Sequence, residues 1–428
     1  MTHIERKRKD LAFLVGVRRF PESAASASES LEELGLLAGT AGAAIVGRLL
    51  LEVKKPHPRG FFGSGQIENI AQLVGELNCD LVIVDCELSP SQHRNLEDAW
   101  DVMVLDRTAL ILDIFASHAK SKEGKFQVEF AQMQYLLPRL RGRWAHLSRL
   151  GAGIGTRGPG ETALETDRRR ILSKIHRLKT HLKQIRQTRT LHREHRKKEN
   201  IPIIALVGYT NAGKSTLMRA LTGANVKVED KLFATLDPLC RRFILSDGRP
   251  VLLLDTVGFI KKLPHHLIEA FKATLEEVVS SDLLIHVVDA SSQNSDEQID
   301  IVRSVLSTIG ADHIPEIIAL NKIDRLKISG GIAPLAKSGA DVVPVSALTG
   351  ENLEELKTRL TMKIAIGNSM RHVLLSLPLN RGDLVGAIHE RGRIISEKFL
   401  ESSVTIEVEL DTILADQLKE FWIGAATH

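Results

Sequence analysis

Apolar runs and amphipathic segments alternate through the first 120 residues of the chain. The apolar runs predict strands at Leu11–Val17, Ala43–Val53, Asp80–Asp85 and Val102–Asp106. The amphipathic segments, several of them behind Ser or Asp caps, predict helices at Ser28–Leu37, Gln66–Leu77, Ser91–Trp100 and Arg107–Lys120. This alternation predicts a parallel sheet covered by helices. We interpret three acidic residues of this region as strand ends and helix caps rather than a catalytic cluster: Asp85, Asp106 and Asp113.

From Phe126 onward the apolar residues follow a helical spacing of alternating four and three. The first series is Phe126, Phe130, Met133, Leu137, Leu140, Trp144 and Leu147, and the second is Leu164, Ile171, Ile175, Leu178, Leu182 and Ile185. Two such series predict an antiparallel helical hairpin over residues 121–200, with a glycine-rich tip at 151–160. Pro138 is expected to kink or interrupt the first helix because it lacks a backbone N–H.

Strand and helix patterns alternate again in the second half of the chain. Between residues 201 and 366 the predicted strands are Ile201–Val207, Cys240–Leu245, Val251–Asp255, Leu283–Asp289, Ile314–Leu320 and Val342–Val345. The tail predicts strand, helix, strand and helix at Val373–Leu377, Leu384–Lys398, Ser403–Glu409 and Thr412–Phe421. The predicted fold is therefore α/β, with four domains at 1–120, 121–200, 201–366 and 367–428; the last is a small α+β domain.

Composition excludes some classes of protein. The 428 residues are 43% hydrophobic, which is enough for packed cores. No apolar run approaches the ~18 residues of a membrane span, and the charged start of the chain lacks the centre of a signal peptide. The three cysteines are odd in number and lack metal-ligand spacing. We therefore expect reduced thiols in a cytoplasmic protein.

Positive charge is concentrated in one segment. Residues 139–200 contain 18 Lys/Arg against 5 Asp/Glu, a net +13, so the rest of a chain of net charge +4 carries −9. A solvated helix face normally mixes both signs, whereas this excess favours contact with RNA phosphates. Sparse aromatic residues favour structured RNA over single strands. The candidate contacts are Arg157, Arg168, Arg169, Arg170, Lys174 and Arg177.

A phosphate-binding loop follows the strand that begins at Ile201. Gly208 to Ser215 fits the pattern G-x-x-x-x-G-K-[ST], with a helix-forming run behind it. Lys214 is expected to reach the outer phosphates, and Ser215 to ligate Mg²⁺. A plain strand–turn–helix corner is the alternative. The candidate residues are Gly208, Tyr209, Thr210, Asn211, Ala212, Gly213, Lys214, Ser215 and Thr216.

Four further motifs in order predict a guanine nucleotide. The first two, which can serve Mg²⁺ and the γ-phosphate, are Phe233, Ala234, Thr235, Leu236 and Asp237, followed by Asp255, Thr256, Val257 and Gly258. The guanine-binding pair is Asn321, Lys322, Ile323 and Asp324, followed by Ser346, Ala347 and Leu348. A carboxylate at Asp324 can accept two N–H bonds from guanine, and adenine offers no such pair. Lys214, Thr235, Asp255 and Gly258 are the candidate catalytic residues, with Ser215 and Thr235 as Mg²⁺ ligands.

Two positions make hydrolysis unusual. Phe259 stands where many GTPases place a glutamine that orients water, so slow intrinsic hydrolysis and stimulation by a partner are expected. Asn211 is a candidate K⁺ ligand inside the phosphate loop. Its alternative role is simply to tolerate the turn.

These residues resemble the translation-factor-related P-loop GTPases, and more specifically the HflX family of ribosome-associated GTPases. Four segments carry the resemblance: Leu88–Leu96, Asp106–Phe115, Gly151–Arg169 and Gly208–Leu217. The likeness runs in the same order over about residues 11–366. It implies a GTPase that binds the large ribosomal subunit and its RNA, and that dissociates or rescues stalled 70S ribosomes, notably under stress.

Other functions stay open at this point. One is a ribosome-assembly or RNA-remodelling GTPase that also hydrolyses ATP, and another is a non-catalytic RNA-binding scaffold. We expect a monomer in the cytoplasm, associated with ribosomes, and keep peripheral membrane association as an alternative.

Overall fold

The computed structural model describes most of the chain. The described ranges are residues 10–140, 159–198, 201–223, 232–233, 237–262, 264, 275–292, 294–326, 341–367, 370–400 and 402–425. Within them the chain forms three sheets and one long helical hairpin.

The N-terminal unit is a parallel sheet with helices on both faces, as predicted. Its strands, in the spatial order β2-β1-β3-β4, are β1 (Leu11–Arg18), β2 (Ala44–Glu52), β3 (Leu81–Val84) and β4 (Met103–Asp106). Its helices are α1 (Ala24–Ala41), α2 (Ser64–Glu76), α3 (Pro90–Trp100) and α4 (Arg107–His118). Strands buried on both faces explain the continuous apolar runs of this region.

Asp106 fixes the start of α4. Its carboxylate caps the helix by accepting from the N–H of Ala109 at 2.8 Å, because the first N–H groups of a helix lack partners inside it. The same side chain accepts from the N–H of Leu88 at 3.2 Å and from Nη2 of Arg139 at 3.1 Å. Asp106 therefore fixes the position of Arg107, the first residue of α4, at the carboxyl edge of the sheet.

A helical hairpin follows the N-terminal unit. Its first helix, α5 (Lys122–Leu136), ends in a 3₁₀ turn at Leu137–Arg139 that contains Pro138, and its second is the 40-residue α6 (Pro159–Lys198). Phe126 stacks on His181 at 5.3 Å, and Glu129 pairs with Lys174 at 2.5 Å. Because position 126 meets 181 and the later 129 meets the earlier 174, the helices run antiparallel, as predicted. The predicted tip lies almost wholly outside the described residues.

The central unit is a six-stranded sheet. Its strands, in the spatial order β10-β9-β8-β5-β7-β6, are β5 (Ile203–Gly208), β6 (Leu239–Ile244), β7 (Pro250–Asp255), β8 (Leu283–Asp289), β9 (Glu316–Asn321) and β10 (Val342–Pro344). All pairs are parallel except β6 with β7. The helices are α7 (Lys214–Thr222), α8 (Ser295–Thr308) and α9 (Leu353–Gly367). The carboxyl ends of five strands therefore meet at one edge.

The C-terminal unit departs from the sequence prediction. Its antiparallel sheet has the order β12-β13-β11-β14, and its elements are β11 (Met370–Pro378), α10 (Gly382–Arg391), β12 (Arg393–Phe399), β13 (Ser403–Asp411), α11 (Thr412–Gln417) and β14 (Trp422–Ala425). The helix predicted over Leu384–Lys398 is wrong in its carboxyl-terminal part, which forms β12, whereas the one predicted over Thr412–Phe421 is α11 followed by a 3₁₀ turn at Lys419–Phe421. Gly392 ends α10 in extended conformation, and a Cβ there would lie 2.6 Å from Leu410, so only glycine admits this close approach.

Pairing with β13 then outweighs the helical spacing of this segment, because strand preference depends on cross-strand partners. The fold class is confirmed for the whole chain: a parallel α/β unit, a helical hairpin, a nucleotide-binding α/β unit and a small α+β unit. In the described part of the chain, no helix has the length and apolar character required to cross a membrane.

Candidate functional site

The predicted phosphate loop connects β5 to α7 with a backbone that few side chains tolerate. Gly208 and Gly213 have φ values of 149° and 98°, and a Cβ on Gly208 would lie 2.2 Å from the carbonyl oxygen of Val287. The ammonium of Lys214 is buried and donates to the carbonyls of Gly208 at 3.0 Å and of Tyr209 at 2.7 Å. The loop therefore curls around the ammonium of Lys214, which faces the predicted phosphate-binding site.

Burial changes the acidity of this cation. Loss of hydration lowers the pKa of Lys214 from 10.5 to about 8, although Asp255 opposes the change. Gly258 approaches the same group closely, since a Cβ there would lie 2.9 Å from both Nζ of Lys214 and Cα of Thr210. The backbone of Gly258 is thus in contact with the phosphate loop, as its predicted role requires.

Hard oxygen atoms gather beside the loop. Ser215 donates its hydroxyl to Oδ2 of Asp255 at 2.6 Å, and Asp255 ends β7 with no exposed surface. Thr256 donates to the carbonyl of Leu206 at 2.7 Å and so fixes the end of β7 against β5. A hydroxyl and a carboxylate in contact fit the ligand preference of Mg²⁺. Thr235, the other predicted ligand, lies outside the described residues, as do Ala234 and Leu236.

The predicted guanine-binding residues are tied directly to the phosphate loop. Asn321, at the end of β9, donates to the carbonyl of Ala212 and accepts from the N–H of Ala347, both at 2.9 Å. Lys322 donates to the carbonyl of Asn211 and to Oδ2 of Asp289, both at 2.7 Å. The two motifs consequently form one rigid cradle.

The carboxylate predicted to read guanine is held in place by a neighbour. Asp324 accepts from the hydroxyl of Ser346 at 2.6 Å, which orients the carboxylate at the mouth of the cradle. Leu348 is 72% exposed, so its side chain borders solvent. Asn211 has φ of 59°, a conformation that asparagine tolerates better than most residues.

The backbone of Phe259 is hydrogen-bonded to the phosphate loop on both sides. Its N–H donates to the carbonyl of Gly208 at 3.1 Å, and its carbonyl accepts from the N–H of Thr210 at 2.7 Å. The ring is 2% exposed and packs with Leu254 and Leu275. The residue after Gly258 therefore has no polar side chain to orient a water molecule.

A buried arginine of the N-terminal unit meets the segment that follows Phe259. Arg107 is 1% exposed; its Nη1 donates to Asp85 at 2.6 Å, and its Nη2 donates to Glu33 and to the carbonyl of Lys261 at 3.0 Å. Burial alone would lower the pKa of Arg107, but the two carboxylates outweigh it and raise the pKa. This arginine therefore remains charged inside the interface.

The same network reaches the phosphate loop and both lysines after Phe259. The phenol of Tyr209 donates to Glu33 at 2.5 Å and accepts from the N–H of Lys261 at 2.8 Å. Lys262 donates to Asp85 at 2.8 Å. Asp85 directly follows β3, as the sequence interpretation has it, and its carboxylate in addition pairs with Arg107 and Lys262. We call Glu33, Asp85, Arg107, Tyr209, Lys261 and Lys262 the Arg107 network.

Two residues predicted to touch the nucleotide point elsewhere. The ring of Phe233 is 3% exposed and packs edge to face on Phe115 of α4, with centroids 4.7 Å apart. Asp237 accepts from the N–H groups of Lys120 and Ser121, both at 2.8 Å. The physical reasons are clear, since an apolar ring enters an apolar core and a carboxylate binds free N–H groups before a helix.

The residues predicted to contact RNA differ in placement. Four are exposed on α6: Arg168, Arg169, Arg170 and Arg177. Arg169 and Arg170 also pair with carboxylates of the preceding turn. Lys174 pairs across the hairpin with Glu129 and so helps to join its helices. Arg157 lies outside the described residues.

The geometry defines a class of protein. A phosphate loop, a Ser215–Asp255 pair and an Asn321–Asp324 motif, all at the carboxyl edge of one sheet, are the site of a P-loop GTPase. Three family models match the chain by sequence: "GTP-binding GTPase N-terminal" over residues 28–116, "GTP-binding GTPase Middle Region" over 118–196 and "50S ribosome-binding GTPase" over 203–322.

Relatives match over nearly the whole chain. The GTPase HflX of Caldanaerobacter subterraneus subsp. tengcongensis is 46% identical over 97% of this chain and 94% of its own, and that of Escherichia coli K12 is 42% identical over 90% of each. A GTP-binding protein from Sulfolobus solfataricus, solved with GDP, is 27% identical over 83% of this chain and 99% of its own, with a TM-score of 0.43. The chain belongs to the HflX family and is a GTP hydrolase.

Sequence reasoning missed the contacts between units. Glu33, Lys261 and Lys262 belong to no segment that the sequence singles out, and Arg107 lies in the segment Asp106–Phe115 without a role that the sequence assigns to it. One signal was available for Arg107. It directly follows a strand, and charged residues at the carboxyl ends of parallel strands meet at one edge of the sheet.

The Arg107 network predicts a role for the phenol of Tyr209. Tyr209→Phe removes two hydrogen bonds, one of them to a carboxylate, and should lower the free energy of unfolding by about 1–3 kcal/mol. GDP dissociation should accelerate, because the phosphate loop loses its anchor to Glu33. Denaturant unfolding and release of a fluorescent GDP analogue measure both effects. Tyr135→Phe, made on the only other tyrosine of the sequence, is the control. Equal GDP release by the two variants would contradict the predicted role.

Proposed function

We propose that this protein uses GTP to bind the large ribosomal subunit and to dissociate or rescue stalled 70S ribosomes. The family membership and the match to a "50S ribosome-binding GTPase" model support the partner. The observation that carries the proposal is the exposed basic face of α6, which directly precedes β5 and the phosphate loop along the chain. A polyanion bound to this helix would therefore contact a segment that the chain connects directly to the GTP cradle.

Contact with ribosomal RNA would be made chiefly through phosphates. Arginine side chains on one helix bind phosphate oxygens with little reading of sequence, and such binding weakens steeply with salt. Arg168, Arg169, Arg170 and Arg177 are the exposed candidates. We also propose Arg157, at the predicted tip, as a contact, and Lys174 as a contributor once its pair with Glu129 is disturbed.

The chain supplies most of the parts for hydrolysis, but not all. Lys214 would bind the outer phosphates, Ser215 would hold Mg²⁺ directly, and Asp255 would hold it through water. When bound, Mg²⁺ neutralises charge on the β- and γ-phosphates. Thr235 is the proposed second hydroxyl ligand. Because the ring of Phe259 is buried, orientation of the attacking water is left to a partner, which we propose is the ribosome.

The ribosome is also the proposed location of the protein. We propose a monomer in the cytoplasm, engaged with ribosomes under stress. Guanine selectivity follows from Asp324 and Ser346, so ATP hydrolysis would need another site.

Ribosome dissociation can be observed by sedimentation of 70S particles. GTP and a non-hydrolysable analogue should both allow the protein to convert 70S ribosomes into subunits, whereas GDP should not. GTP turnover in the same samples should rise well above the rate without ribosomes. The triple variant with Arg168, Arg169 and Arg170 changed to Glu should lose both effects and keep its basal turnover. Intact 70S particles with equal turnover would contradict the proposal, and a response to immature subunits alone would favour an assembly role.

We propose K⁺ as a second ion, held by Asn211 beside the phosphates. Turnover should then be faster in potassium than in sodium at matched ionic strength. Asn211→Gly separates the two roles, because glycine accepts the φ of 59° but lacks the amide oxygen. This variant should turn over equally in both salts. If the parent protein shows no preference, and Asn211→Gly retains its rate, the asparagine serves the turn alone.

A further inference from the structure

Asp237 joins the GTPase unit to the first helix of the hairpin. One carboxylate oxygen accepts from the N–H groups of Lys120 and Ser121, both at 2.8 Å, and the other accepts from the hydroxyl of Ser121. Ser121 is the cap of α5, and its hydroxyl also accepts from the N–H of Gly124 at 2.9 Å. Three donors from one helix start therefore converge on one carboxylate that lies 116 residues further along the chain.

The start of α5 fits this carboxylate closely. A negative charge is favoured at a helix N-terminus by the dipole and the unpaired N–H groups. Gly124 has no side chain at the place where the carboxylate sits, and a Cβ there would lie 2.2 Å from Oδ1 of Asp237. Glycine is a poor helix former, so its presence in the first turn of α5 costs about 1 kcal/mol relative to alanine. The close approach of Asp237 accounts for that cost.

A second contact fastens the same segment to the preceding helix. Phe233 packs on Phe115 of α4, and Leu232 is 5% exposed in the same cluster. Phe233 and Asp237 are the first and last residues of the motif that the sequence predicts to approach Mg²⁺ and the γ-phosphate. The described residues at both of its ends are thus held by two consecutive helices outside the GTPase unit.

We propose that Asp237 is a positioning residue for GTP hydrolysis, which couples the placement of α5 to the GTPase unit. The helix α5 is joined to α6 by the Phe126–His181 stack and the Glu129–Lys174 pair. A force on the basic hairpin would therefore reach Asp237 through α5. This inference rests on the proposed function, because it takes the ribosome as the source of that force.

Gly124→Ala tests the coupling without altering the nucleotide cradle. The added methyl group must displace Asp237, while the helix itself gains stability. Ribosome stimulation of GTP turnover should fall by about fivefold or more, as expected for the loss of a typical coupling energy. GDP affinity should stay within about twofold, because the cradle is untouched. Gly65→Ala is the matched control, since Gly65 lies in the first turn of α2 and a Cβ there meets nothing within 4 Å.

Variants of the partner make the test specific. Asp237→Ala should reproduce the loss seen in Gly124→Ala, and the double variant should lose no more, because both changes break one contact. Asp237→Asn retains an acceptor for the two N–H groups and should restore part of the stimulation. Additive losses, or a Gly124→Ala protein that behaves like Gly65→Ala, would overturn the proposal.

Failure of the proposed function would be visible separately. If ribosomes do not stimulate the parent protein, the coupling is measured on the protein alone, by dissociation of a fluorescent non-hydrolysable GTP analogue. Gly124→Ala should then accelerate release of this analogue by about threefold or more and leave GDP release unchanged. Unchanged release of both nucleotides would overturn the role of Asp237 itself.

Discussion

A buried guanidinium lies at the centre of the junction between the N-terminal unit and the GTPase unit. Arg107 is paired with Asp85 and Glu33 and donates to the carbonyl of Lys261, with 1% of its surface exposed. Removing one partner of such a buried pair costs about 3–5 kcal/mol, because the remaining charge stays out of water. The two units therefore cannot separate at this point without a large loss of stability. The backbone that follows Phe259 is consequently fixed relative to the N-terminal sheet.

The segments that the sequence predicts to sense the nucleotide are thus in contact with the N-terminal unit and the hairpin. Tyr209 of the phosphate loop bonds Glu33, the segment after Phe259 carries Lys261 and Lys262 into the Arg107 network, and Asp237 binds the start of α5. Each contact is short and polar, and each lies within a few residues of a position that the sequence predicts to contact the nucleotide. Packed interfaces tend to have discrete arrangements rather than continuous ones, which is why we propose that a displacement of the hairpin is transmitted to the GTPase unit.

The GTP cradle was predictable from the sequence because its chemistry imposes fixed spacing. Each of its motifs begins at the last residue of a strand, and the parallel sheet brings those strand ends together. The motifs are Gly208–Ser215, Asp255–Gly258 and Asn321–Asp324. The Arg107 network was not predictable in this way, since its members lie up to 229 positions apart and follow no period. Asp237 was placed at the nucleotide by its motif, whereas an unpaired helix start draws its carboxylate to α5. The helix predicted over Leu384–Lys398 was wrong for a similar reason, because β12 is stabilised by its pairing with the distant strand β13.

Hydrogen exchange of the protein alone tests most directly whether these units act together. The amides of Lys120 and Ser121, and the peptides of α4 and α5, would be compared in the GDP state and with a non-hydrolysable GTP analogue. If the units act together, hydrogen-exchange protection at the start of α5 should differ between the two nucleotide states, as it does in the GTPase unit. A nucleotide-dependent change confined to residues 201–366, with α4 and α5 unaltered, would contradict this expectation.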